Sequence, residues 1–206
     1  MKQSAATRPG PLTFDPVALG RAECDAWAAY YRREWLSFLR SAVRMVRAGF
    51  GMNRRRTLLG AWHVLRANQL WAPYPDNDPA GARAAMQRFY VLVAAGGHGG
   101  FDPALAARLE VGWWRVHREH QHDIRVQEPD LVDALAALYG HVYGLPESVV
   151  RRAAQLRVDA MDASDRWVAA GCSLDDPLLA RERRLLVASF SALRDAVDRR
   201  GEMSPA

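Results

Sequence analysis

Lysine is almost missing from this chain. Lys2 is the only one, and arginine supplies the other 27 of its 28 basic residues. Beside abundant Ala, Gly, Val and Asp, such usage reads as a bias across the whole sequence, so the high isoelectric point alone says little about partners. Cysteine is scarce as well. Cys24 and Cys172 are the only two, far apart in the chain, which excludes a disulfide scaffold and favours a reducing compartment. Residues 1–16 hold no apolar h-region, so no secretory signal is expected. No stretch approaches the roughly 18–20 uninterrupted apolar residues that a membrane span needs. The expectation is a soluble, cytoplasmic protein. No segment alternates with period two over strand length, which argues against a sheet.

What is present suits one helical domain. The chain has 206 residues, half of them hydrophobic, with seven Trp, six Tyr and six Phe as bulky core material. A length of that order is ample for a core. Asp15-Pro16, Asp78-Pro79, Asp102-Pro103 and Asp176-Pro177 each precede a helix-like stretch. Aspartate at an N-cap accepts from an orphan N–H, and proline at the first helical position gives up only a donor that had no partner. Glu128-Pro129 and Leu145-Pro146 mark two further starts. Glycines at 49–51, 96–100, 144, 171 and 201 fit helix ends or loops. Between these marks the apolar spacing is helical. Leu131, Leu135, Leu138 and Val142 form one stripe, and Leu179, Leu186, Phe190, Leu193 and Val197 another. Val149, Ala153, Leu156, Ala160, Ala163 and Trp167 form a third.

The pattern predicts an all-α single-domain bundle of seven antiparallel or orthogonally packed helices, over 16–48, 54–71, 79–95, 103–124, 130–143, 146–170 and 177–199. Residues 14–200 form the domain, and residues 1–13 and 201–206 are read as loose tails.

Charge is uneven. Residues 1–70 carry twelve Lys and Arg against four Asp and Glu, and the remainder is slightly acidic. Arg33, Arg40, Arg44 and Arg47 fall within about 60° of one another on a 3.6-residue wheel, and Arg54, Arg55 and Arg56 follow. A basic face without interleaved aromatics carries no nucleic-acid specificity, so a solvated face is expected here and specific nucleic-acid binding is not.

The segment from Glu110 to His122 is richest in chemical groups. Leu105, Leu109, Gly112 and Val116 form its expected apolar stripe. Glu110, Trp114, His117 and Gln121 form a second stripe on another face. A helix with two such faces can touch a core on one side and a pocket on the other. His117 and His120 have a spacing open to metal, but no HExxH accompanies them and no metal site is assigned. Arg157 lies beside an apolar face, where a guanidinium needs a carboxylate or several carbonyls to offset its desolvation.

These features point to a small-molecule pocket between helices. Glu110 and His117 are its candidate chemical groups, and Arg157, Trp114, Gln121, Gln69 and Trp62 its candidate walls. Histidine exchanges protons near neutrality, so His117 is the candidate for proton transfer. Glu110 and Arg157, of opposite charge, are expected to face one interior space, as a pair or as opposite walls. The alternative is a non-catalytic interaction protein using its basic first helix or an aromatic surface. Cofactor, reaction and homo-oligomerisation stay open.

The cap assignments have a direct test. Asp102→Ala or Asp176→Ala should cost about 0.5–2 kcal/mol in chemical denaturation, with Asp159→Ala, expected on an outer face, costing little. Equal losses at all three would contradict the helix placement.

Overall fold

A computed structural model describes residues 12–98, 100–122 and 127–203. Its helices are α1 (Pro16–Tyr31), α2 (Trp35–Phe50), α3 (Arg54–Trp71), α4 (Pro79–Val93), α5 (Pro103–His122), α6 (Glu128–Tyr143), α7 (Glu147–Ala169) and α8 (Pro177–Met203). A π turn, Ala94–His98, extends α4. No strand occurs among the described residues. The protein is an all-α bundle.

All four aspartate caps form. Asp15 accepts from the backbone N–H of Val17 and Ala18, Asp78 from Gly81, Asp102 from Ala104 and Asp176 from Leu178, at 2.8–3.1 Å. Helices α2 and α6 stop at left-handed glycines, Gly51 and Gly144.

The structure corrects the sequence reading at the first helix. The single element expected over 16–48 is two helices, broken at residues 32–34. Arg33 takes φ 60, its N–H bonds to the Tyr30 carbonyl, and the Glu34 N–H reaches back to Ala29. This is the paired-bond stop that usually carries glycine. Arginine in that place hides it from a sequence scan. Arg33 therefore leaves the basic stripe of α2. At the other end, α8 continues through residues expected as tail, to Met203. Two stripes also shift. Val149 is exposed, and in α5 the deepest residues are Ala106, Ala107, Val111, Trp113 and Trp114. Leu105, Leu109, Gly112 and Val116 are only half-buried. The end of the helix expected over 103–124 lies outside the described residues.

Each helix packs on the next in sequence, and α8 returns to α1, so the eight form a closed ring. The closing contact is tight. A Cβ on Gly20 of α1 would stand 2.7 Å from the Val187 backbone nitrogen of α8, so only glycine lets these helices approach so closely. The main core runs round the ring, and a smaller cluster of Cys24, Ala28, Ala160, Trp167, Leu179 and Leu186 seals α1, α7 and α8.

Glu182 lies in this sealed region at 0% exposure, and among the described residues neither carboxyl oxygen has a hydrogen-bond partner in good geometry. Burial pushes its pKa up to about 8, with Ser164 and Cys24 pulling it partway back. An acid whose pKa is higher folded than unfolded favours the fold most while it is protonated in both states. Stability is therefore greatest below the ordinary value of 4.5, falls as pH climbs toward 8, and levels off beyond. Glu182→Gln should raise the urea midpoint clearly near pH 8.5, by an effect on the order of a few kcal/mol, and little near pH 5. Equal effects at both pH values would mean that the carboxylate is ionised in the fold throughout.

Candidate functional site

The ring encloses a cavity of about 650 Å³, and all eight helices contribute to its wall. Its inner end is built on charge. Arg157 of α7 forms a buried ion pair with Glu23 of α1 and donates to the Tyr139 hydroxyl of α6 at 2.9 Å. Four rings surround the guanidinium, those of Trp27, Trp113, Tyr139 and Phe190, at 5.2–6.0 Å. Among the described residues Arg157 Nε and the Trp113 indole N–H have no hydrogen-bond partner, and these ring faces surround the cation in place of water. Burial pushes the Glu23 carboxyl up, against the pull of Arg157. Burial also works against the Arg157 charge, but Glu23, Tyr139 and Glu110 outweigh it and hold its pKa above the ordinary value.

Glu110 of α5 stands on the same inner wall. It accepts from the Tyr90 hydroxyl of α4 at 2.7 Å and from the Trp114 indole N–H, one turn further along α5, at 3.1 Å. Burial first, and then Glu110, push the Tyr90 hydroxyl well up, so Tyr90 stays a neutral donor. Both partners of Glu110 are neutral, and among the described residues no cation forms an ion pair with it. Trp71 packs on Trp114, with centroids 5.9 Å apart, and extends the aromatic wall.

The mouth lies at the C-terminal end of α5, where lining residues Tyr74, Gln121, His122 and Ala169 are exposed. His117 Nε2 lies 3.1 Å from Asp165 Oδ2, and Gln121 donates to the other oxygen at 2.6 Å. Arg118 donates to the Tyr30 hydroxyl at 3.2 Å and lies over Trp71 and Tyr74. Tyr74, from the loop after α3, stacks on His122 at 4.7 Å. Arg33, displaced from its stripe by the helix break, donates to the Ala72 carbonyl at this rim. Among the described residues, no group of three His, Cys, Asp or Glu is placed to hold a metal ion.

Of the residues singled out from sequence, Glu110, Trp114, His117, Gln121 and Arg157 line this one cavity. Glu110 and Arg157 share the interior, but the ion-pair partner of Arg157 is Glu23. Gln69 and Trp62 lie outside it. Trp62 is half exposed on the outer side of α3, and Gln69 accepts from Arg66 at 2.7 Å, while its neighbour Asn68 lines the cavity. Both misplacements have one cause: α3 turns Val64, Asn68 and Trp71 into the cavity wall, a stripe that neither residue joins.

Sequence reasoning missed Glu23, Tyr90, Tyr139, Arg118 and Asp165. A signal existed for two of them. Glu23 shares a stripe with Leu19, Ala26 and Tyr30, and Asp165 lies one helical turn from Met161 and Val168. Comparison with protein-family models, curated proteins and solved structures finds no match.

The buried pair predicts a specific coupling. Arg157→Gln leaves Glu23 without its counter-charge and should cost roughly 3–5 kcal/mol in urea denaturation, with partial recovery on adding Glu23→Gln. Recovery through Glu110→Gln instead would mean that the interior charges are paired otherwise.

Proposed function

We propose that this protein binds a small organic molecule inside the helical ring, one with a flat apolar body and a cationic amine that meets Glu110. A carboxylate with two neutral donors and no cation, set in an aromatic-walled cavity, is the observation that carries this reading. Arg157 is ion-paired with Glu23, so Glu110 is the acid of the inner end that has no ion-pair partner among the described residues. An ionised carboxylate has about four acceptor positions, and two here remain for a ligand. Ring faces add to the attraction for a desolvated cation. The cavity volume falls inside the roughly 300–1,000 Å³ common for small-molecule sites.

His117 is the group in this wall best suited to carry a proton. With Nε2 turned to Asp165, the carboxylate can hold the ring in one tautomer and orientation. Turnover, if it accompanies binding, would run through this residue near the mouth.

Calorimetric titration with 2-phenylethylamine, phenethyl alcohol and 3-phenylpropionate tests the reading. The amine should bind best. Glu110→Gln should weaken it by about ten- to a hundredfold and leave the alcohol almost unchanged, the usual loss for a charge-assisted contact. Ala169→Trp, at the exposed mouth, should weaken every ligand. Preferred binding of the carboxylate would remove the amine, and binding that ignores Ala169→Trp would remove the cavity.

A further inference from the structure

Trp62 belongs to no part of the cavity, and its surroundings on α3 are unusual. From Trp35 to Pro75 the chain holds seven arginines and no Asp or Glu. These residues make α2, α3 and the start of the following loop, and the two helices are packing neighbours. Four large apolar side chains stand outside the core here: Leu36 at 62% exposure, Leu58 at 60%, Trp62 at 50% and Leu59 at 46%. Scattered exposed apolar residues are ordinary. These are not scattered. On a 3.6-residue wheel Arg55, Leu58, Leu59, Trp62 and Arg66 share an arc of about 100°, so the outer face of α3 is apolar along its centre with an arginine toward each end. On α2, Leu36, Arg40, Val43 and Arg47 fall within about 60°.

Little on the protein itself neutralises this charge. Arg44 reaches Asp25, Arg56 donates to the Ala95 carbonyl and Arg66 to Gln69. Among the described residues Arg40, Arg47, Arg54 and Arg55 form no ion pair. The surface thus offers cations to a negative partner and, between them, side chains that gain only by leaving water.

We infer that the outer face of α3, with the basic α2 beside it, docks on an anionic phospholipid surface. The two halves of that chemistry match the two halves of the face. Arginines meet phosphate headgroups, each adding about fivefold to affinity near the surface. Leu58, Leu59 and Trp62 enter the boundary between headgroups and acyl chains, the depth that tryptophan favours. No helix among the described residues is long and apolar enough to cross a membrane, so the helix would lie in the interface plane. A nucleic acid would engage the arginines but give the leucines nothing.

Co-sedimentation of the full chain with vesicles of phosphatidylglycerol and phosphatidylcholine, against phosphatidylcholine alone, tests the inference. Binding should need the anionic lipid and fall with added salt. Leu58→Ser with Trp62→Ser should weaken it at least tenfold with an unchanged melting temperature, since both residues are exposed. Arg55→Gln with Arg66→Gln should weaken it by a comparable factor. Bound protein should show a blue shift of tryptophan emission that Trp62→Phe removes. The inference is overturned if anionic vesicles leave the protein in solution. It is equally overturned if duplex DNA or RNA binds tightly while Leu58→Ser with Trp62→Ser changes nothing. A dimer that this double variant converts to a monomer, without vesicle binding, would also overturn it by assigning the face to a second copy. None of these outcomes depends on the cavity, whose ligand assays can be run on the same variants.

Discussion

A guanidinium placed in the middle of a helical ring governs much of this structure. Removing Arg157 from water is costly, and a pair of buried charges regains that cost only with good geometry and further contacts for the remaining polar groups. The surroundings supply both. Glu23 comes from α1, Tyr139 from α6, Trp113 from α5 and Phe190 from α8, and Arg157 itself comes from α7. Five helices thus converge on one cation. A bundle held only by interchangeable aliphatic contacts could slide in register, whereas these partners must meet at one point.

The same arrangement decides what kind of space is left. Aromatic rings that gather round a buried cation are wide and stiff, and eight helices closed into a ring by the Gly20–Val187 approach keep them apart rather than collapsed. With Arg157 committed to Glu23, Tyr90 and Trp114 are the hydrogen-bond partners of Glu110 among the described residues. Neutral donors orient a carboxyl group without bringing a counter-charge, so the interior keeps a directed acceptor beside apolar walls. The mouth has a different character. There Arg118, Arg33, Asp165 and His117 lie within reach of water, where charges are screened and cheap to keep. Exposure falls inward along α5, from His122 at the mouth to the half-buried Glu110.

The outside of the molecule obeys a separate logic. Helix α3 spends its inner stripe on Val64, Asn68 and Trp71 in the cavity wall and its outer stripe on Leu58, Leu59 and Trp62 in water. Both stripes are apolar enough to serve as a core face. That doubles the chemistry of one helix, with an enclosed site on one side and a basic, apolar surface on the other. Glu182 shows the opposite economy: a carboxyl sealed in the core between α1, α7 and α8, its pKa pushed up by burial.

Several of these features are local and were legible in the residues alone. A cap needs an acceptor directly before a proline-led turn, so the four Asp-Pro steps placed four helix starts. Glu110, Trp114, His117 and Gln121 share a face because helical periodicity puts them there, whatever the helix packs against. The need of Arg157 for a carboxylate likewise followed from its apolar flank. The break after α1 was hidden, because the left-handed stop that glycine normally announces is occupied by Arg33. Periodicity also cannot say which of two apolar stripes turns inward, and so Trp62 fell outside the cavity and Asn68 rather than Gln69 within it. The identity of the counter-charge, Glu23 and not Glu110, lay beyond the sequence for the same reason. Contacts within one helix depend on spacing along the chain, but partners 134 residues apart are chosen by how the ring closes.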